Sequence, residues 1–94
     1  MAMVVITVDA QQQFAELPRS VQTRVEKLFV RLRSWPDVSG AKPLSGNLAG
    51  HFRLRTGDYR VQFRVIAAGP ITKSSASVRV IVEKIGRRDR FYEG

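Results

Sequence analysis

Two alternating runs joined by a short turn constrain the fold of this chain more than any other feature. Thr56-Gly57-Asp58 is typical of a tight hairpin turn between them. Side chains of a strand alternate between its two faces, so this pattern separates apolar from polar residues. One face would carry Phe52, Leu54, Tyr59, Val61, Phe63 and Val65, and the other His51, Arg53, Arg55, Arg60, Gln62 and Arg64. The sequence therefore predicts a β-hairpin with one face in the core and one basic face.

The first third of the chain predicts a strand followed by two helices. Residues 3–8 are a β-branched apolar run, and Asp9 is expected to cap a short helix that carries Phe14 and Leu17. Pro18 suits the first turn of a second helix, which should extend to about Arg33. The core-facing stripe of that helix is Val21, Val25, Leu28, Phe29 and Leu32. We expect this helical hairpin to lie on the sheet.

The remaining segments predict a loop, a connection and a last strand. Residues 34–50 are rich in turn formers and should form a long loop, pinned to the body by Trp35, Val38, Leu44 and Leu48. Residues 67–77 read as a Gly/Pro/Ser-rich connection. Residues 78–85 are the most apolar of the three later runs and suit a central strand that ends at Gly86. A short basic tail with two aromatic residues follows.

Length and composition limit the possible classes of protein. The chain has 94 residues, which suits one domain over residues 1–94, with an α+β fold of about four mainly antiparallel strands in the order β-α-α-β-β-β. Its 16 Lys+Arg against 8 Asp+Glu give a net charge of +8, which favours a nucleic acid or an acidic protein as partner. No cysteine is present, so disulfides and thiolate chemistry are excluded. No membrane span or secretion signal is evident, and a cytoplasmic location is the default expectation.

The arginines of the hairpin are the main chemical signal. Like charges at neighbouring sheet positions repel, so a face with Arg53, Arg55, Arg60 and Arg64 is expected to bind an anion. Guanidinium groups match phosphate with a bidentate fork. A basic face that serves only solubility is the alternative. The tail adds Arg87, Arg88 and Arg90 to this basic set in the sequence.

Few residues are suited to proton transfer or base stacking. His51, the one histidine, falls on the basic face, and histidine exchanges protons near neutral pH. Tyr92 can stack on a base, donate a hydrogen bond or exchange a proton, whereas Phe91 is interpreted as a packed anchor. The carboxylates are scattered without a paired acidic site, so neither a metal nor a small-molecule cofactor is expected.

Three segments together resemble the RelE/ParE superfamily of toxins from type II toxin–antitoxin systems, and most closely its RelE-like branch. They are Lys42-Pro-Leu-Ser-Gly, His51-Phe-Arg-Leu-Arg-Thr-Gly-Asp-Tyr-Arg-Val and Val82-Glu-Lys-Ile-Gly-Arg-Arg-Asp-Arg-Phe-Tyr. The resemblance covers nearly the whole chain and implies a RelE-like fold, a small sheet with two helices on one face. It also implies a cognate antitoxin as protein partner.

The resemblance further implies an endoribonuclease that cuts mRNA in the ribosomal A site without a metal, by attack of a 2′-hydroxyl on the neighbouring phosphate. Arg60 matches the arginine that contacts the scissile phosphate, Arg88 the arginine after the last strand, and Tyr92 the C-terminal tyrosine. Arg53 and Arg55 stand at two basic positions where lysine is frequent in the family. Further RNA contacts are expected from His51, Arg64, Arg87, Arg90 and Lys42.

Arginine at positions 53 and 55 leaves the proton acceptor open. A guanidinium stays protonated at any working pH, so Tyr92 and His51 are the candidates for proton transfer. Two other functions remain alternatives. A ParE-like protein would inhibit DNA gyrase without nuclease activity, and a noncatalytic RNA-binding domain would show salt-sensitive affinity without cut ends.

Overall fold

The computed structural model describes residues 2–67 and 78–87. Within these ranges the chain forms two helices packed on one face of a five-stranded mixed sheet. The elements are β1 (Met3–Ile6), α1 (Val8–Ala15), α2 (Arg19–Leu32), β2 (Lys42–Pro43), β3 (His51–Thr56), β4 (Tyr59–Ala67) and β5 (Val78–Arg87), with a 3-10 turn at Gly46–Leu48. None of the helices in these ranges has the length and apolar character to cross a membrane.

The sheet order is β1-β5-β4-β3-β2, with β1 parallel to β5 and the other neighbours antiparallel. The α+β architecture and the helical hairpin on one face are therefore confirmed. The strand count differs from the expected four because β2 lies inside the segment predicted as a loop. Pro43 argues against a strand in the sequence, because proline lacks an N–H donor. It is tolerated in strands mainly at an edge of the sheet, where β2 lies.

Both helices begin slightly differently from the prediction. Helix α1 is capped by Thr7, whose Oγ1 accepts a hydrogen bond from Ala10 N at 3.1 Å, so the expected cap at Asp9 is wrong. Strand β1 consequently ends at Ile6, before the predicted end of the apolar run. Asp9 lies in the first helical turn, where a carboxylate complements the helix dipole. Pro18 directly precedes α2 rather than lying in its first turn.

The core lies between the helices and one face of the sheet. The predicted stripe on α2 is confirmed, with Phe29 only partly buried. Trp35 anchors the segment after α2, because its ring lies 4.8 Å from Phe52 and 5.5 Å from Phe63 between centroids. Val38 also packs on the core, and Leu44 and Leu48 are partly buried.

A β-bulge in β5 determines which of its residues face the core. Phe63 pairs with Val82 and Gln62 with Lys84, so Glu83 is an additional residue in the β5 strand. Val82 and Ile85 are consequently both buried although they are three positions apart. Strand β5 is central, as predicted, but it continues through Gly86 to Arg87.

Candidate nucleic-acid interface

The polar residues of the β3–β4 hairpin lie on the face of the sheet opposite the helices. Their register partners show which of them are neighbours: Arg55 faces Arg60, Arg53 faces Gln62, and His51 faces Arg64. Register partners project from the same face, about 4.5–5.5 Å apart at Cβ. Lys42 of β2 pairs with Arg53 and extends the row to the edge of the sheet. This set of residues on β2, β3 and β4 is called the basic face below.

Arg60 differs from the other arginines of the basic face in its burial. Its residue is only 7% exposed, and among the described residues it is the one buried charged residue. A buried arginine is rare and is held in place by its surroundings. Its partner on β5 is Gly86, which has no side chain and leaves room beside Arg60 on this face. Arg60 is thus a buried charged residue next to the more exposed Arg55.

Glu83 brings a carboxylate onto the basic face, and the sequence pattern did not reveal it. Its Oε1 lies 3.0 Å from Nε2 of His51, without the alignment of a hydrogen bond, and its Oε2 lies 3.3 Å from Nε of Arg64. The bulge is the reason, because it places Glu83 beside Lys84 opposite Gln62. The carboxylate of Glu83 therefore neighbours both His51 and Arg64, whereas Arg53 and Arg55 have no ion pair to another described residue.

The polar side of the sheet is basic over only part of its area. On the β1 side the register brings Met3, Val5, Ile66 and Ile81 around Arg79. Met3 is 60% exposed, Val5 39% and Ile66 37%. The alternation in the hairpin could not predict this apolar area, because the area is formed by the strands on either side of β5. The basic face is consequently confined to the β2–β3–β4 side and the bulge.

The tail residues of the predicted site are placed only in part. Arg88, Arg90, Phe91 and Tyr92 lie outside the described residues. Arg87 ends β5 and pairs with Tyr59, which packs on the core, so this register puts Arg87 on the helix side of the sheet and apart from Arg60. Within residues 2–67 and 78–87 no group of three or more His, Asp or Glu side chains could hold a metal ion.

Comparison with solved structures identifies the fold. The chain superposes on the RelBE2 toxin–antitoxin complex of Mycobacterium tuberculosis with a TM-score of 0.69 and 25% identity, over 93% of this chain and 98% of that one. For the isolated E. coli RelE toxin the TM-score is 0.68 at 16% identity, over 93% and 84% of the two chains. The intact E. coli RelBE complex gives 0.65 at 17% identity, over 93% and 96%.

Comparisons of sequence alone add nothing to this likeness. No protein-family model matches the chain. No curated protein matches it significantly. The sequence identity to the solved structures is low, whereas the superpositions cover most of this chain and of each matched chain. The likeness therefore lies in the arrangement of the strands and helices. The expected resemblance is confirmed at this level, and the chain has the fold of the RelE toxins.

Proposed function

We propose that this protein is the toxin of a type II toxin–antitoxin system and that it cleaves mRNA in the ribosomal A site. One observation carries the proposal: in a RelE fold, a buried arginine, Arg60, stands beside Arg55 on the sheet face that the helices leave open. A buried guanidinium surrounded by further cations is suited to the negative charge of a phosphate in its transition state.

The proposed reaction needs no metal. A base accepts the proton of a 2′-hydroxyl, and the 2′-oxygen then bonds to the adjacent phosphorus. The bond from phosphorus to the 5′-oxygen breaks, and that oxygen takes up a proton. The products are a 2′,3′-cyclic phosphate and a 5′-hydroxyl end.

The residues divide between charge stabilisation and proton transfer. Arg60 and Arg88 are proposed to hold the scissile phosphate, while Arg53 and Arg55 stabilise the charge around it. Tyr92 is proposed for proton transfer or stacking, with His51 as the other proton-exchanging group of the site. Lys42, Arg64 and Arg90 are the proposed further RNA contacts, of which Arg64 would have to share its guanidinium with Glu83. Arg87 is not among them, because its register with Tyr59 puts it on the helix side of the sheet.

Two macromolecular partners belong to this proposal. The first is a cognate antitoxin, because the solved relatives include toxins in complex with RelB antitoxins. The second is the ribosome with a translated message, which supplies the RNA substrate. The net charge of +8 suits contacts with both an acidic protein and RNA.

Reconstituted translation tests the proposed function. We expect that the purified protein added to ribosomes translating a defined message produces new 5′-hydroxyl ends within the A-site codon, mapped by primer extension. The same message without ribosomes should remain intact. A gyrase supercoiling assay run in parallel provides the contrast, since an intact message together with inhibited supercoiling would point to a gyrase inhibitor and overturn the proposal. RNA binding without any cut ends would reduce it to a noncatalytic binding domain.

A further inference from the structure

A small cavity lies at the outer edge of the basic face. Its volume is about 270 Å³, and it is lined by Arg31, Ser39, Gly40, Lys42, Arg53, Leu54 and Arg55. Four of these seven residues are cationic and none is acidic. Ligand pockets usually measure about 300–1,000 Å³, so a space of this size suits a single small anionic group rather than a large cofactor.

The cavity exists because the loop leaves the sheet before β3 ends. Strand β2 pairs with β3 only at Lys42–Arg53 and Pro43–Phe52. Gly40, two residues before Lys42, has a φ of 87°, a left-handed conformation that glycine adopts readily and that turns the chain away from β3. A gap therefore opens beside Leu54 and Arg55, with the loop as its outer wall.

Arg31 closes this gap from the last turn of α2. Its Nη2 donates to the carbonyl oxygen of Ser39 and lies 3.3 Å from Ser39 Oγ. Both contacts use the same nitrogen, whereas a guanidinium carries five N–H donors. Arg31 is thus fixed at the cavity wall with donors on Nε and Nη1 remaining for a ligand. Arg31 lies off the core-facing stripe of α2 and is exposed, so helical periodicity does not mark it as a cavity residue.

Four cations around one small cavity repel each other, and an anion with several acceptor oxygens relieves that repulsion. Glu83, the carboxylate on the basic face, does not line the cavity; it contacts His51 and Arg64. Arg55 lines the cavity and is also the register partner of Arg60. Strand β3 lies between the cavity and β4, which holds Arg60. The centre of the cavity is therefore roughly two strand spacings, about 10 Å, from β4.

We propose that this cavity binds one phosphodiester group of an RNA strand, adjacent to the phosphate held by Arg60 but not the one that is cut. The inference rests on the proposed function for the presence of RNA on the basic face. It adds a phosphate subsite and assigns Arg31, with the loop at Ser39 and Gly40, to substrate binding. The phosphate belongs either to the message or to ribosomal RNA.

Arg31→Gln tests the subsite against a matched control, Arg19→Gln, in the full chain. Both variants remove one arginine charge from α2, but Arg19 lies at the opposite end of the helix. The probe is a 2′-O-methyl RNA oligonucleotide, which cannot be cut, with binding followed by fluorescence anisotropy over a range of salt concentrations. For a single strand, each lost phosphate contact reduces the magnitude of the negative slope of log affinity against log salt by about 0.7. We expect this loss, with about fivefold weaker binding, for Arg31→Gln and an unchanged slope for Arg19→Gln.

A second arm uses ribosomes with a vacant A site in place of the oligonucleotide. If Arg31→Gln binds the oligonucleotide more weakly, the phosphate in the cavity belongs to the message. If it binds only the ribosomes more weakly, the phosphate belongs to ribosomal RNA. Equal behaviour of the Arg31 and Arg19 variants in both arms overturns the subsite. Both arms measure binding and not cleavage. If the unmodified protein cleaves no message, the proposed nuclease activity is wrong, but the binding of the Arg31 and Arg19 variants can still be compared.

Arg31 also tethers the loop, so folding needs its own control. Arg31→Lys keeps the positive charge without the planar fork. We expect it to restore the salt slope of the unmodified protein, and thermal unfolding shows whether each variant is folded. If the salt slope of folded Arg31→Lys has the same reduced magnitude as that of Arg31→Gln, the charge at position 31 does not matter. Arg31 then only holds the loop at Ser39, which contradicts the proposal.

Discussion

Replacing Arg60 with alanine should lower the rate of A-site cleavage by at least about 100-fold, the scale on which one preorganised charge-stabilising donor acts in a transition state. Arg60 is buried on the basic face, and burial restricts the conformations open to its side chain, which favours a preorganised guanidinium. RNA affinity should fall much less, because Arg53, Arg55 and Lys42 continue to attract the strand. Single-turnover cleavage on programmed ribosomes measures the rate, and anisotropy with uncut RNA measures the affinity.

Arg60→Lys separates the charge from the geometry of this group. Lysine retains the positive charge but cannot offer two parallel N–H donors to a phosphate, so most of the rate should remain lost. Burial means that either substitution also perturbs folding, and thermal unfolding must show that the variants are native at the assay temperature. A folded Arg60→Ala protein that cleaves within a few-fold of the original rate would contradict the role given to Arg60.

Phe63→Ala should lower the free energy of unfolding by about 3–5 kcal/mol, the usual cost of removing a buried aromatic ring. Phe63 is fully buried, and its ring centroid lies 5.7 Å from Phe52 and 5.5 Å from Trp35. A domain of this size is stable by only about 5–15 kcal/mol, so this one change removes a large share of the total. It would also loosen the anchor of the segment after α2.

Urea unfolding followed by tryptophan fluorescence measures this loss directly, since Trp35 is the one tryptophan and contacts Phe63. Val30→Ala is the control: it removes an apolar side chain from α2 that is 59% exposed, and its effect should stay within about 0.5 kcal/mol. A loss below about 1 kcal/mol for Phe63→Ala would mean that the cluster of Trp35, Phe52 and Phe63 does not anchor the segment after α2 to the sheet.

The parts of the fold that depend on local periodicity could be predicted from the sequence. Alternation in the hairpin gave both the core face and the basic face, because a period of two assigns every side chain of a strand at once. The stripe on α2 followed from helical spacing in the same way. Strand β2 could not be found so, because its pairing depends on the position of β3 and its proline argues against a strand.

The parts of the site that depend on register and tertiary packing were missed. Glu83 reaches His51 and Arg64 only because the bulge shifts β5 by one residue, and no local pattern marks that shift. Arg31 lines the cavity only because α2 passes the loop at Ser39. Arg87 was grouped with the basic tail by sequence proximity, whereas its register with Tyr59 separates it from Arg60.

The proposed function requires that the basic face, and not the helical side, holds the RNA strand. A titration of isotope-labelled protein with 2′-O-methyl RNA, followed by backbone amide chemical shifts, tests it most directly. We expect the largest shifts in His51–Thr56 and residues 59–64, with smaller ones around Lys42 and little change along α1 and the first turns of α2. Shifts concentrated on the helices, with the β3–β4 hairpin unchanged, would contradict it.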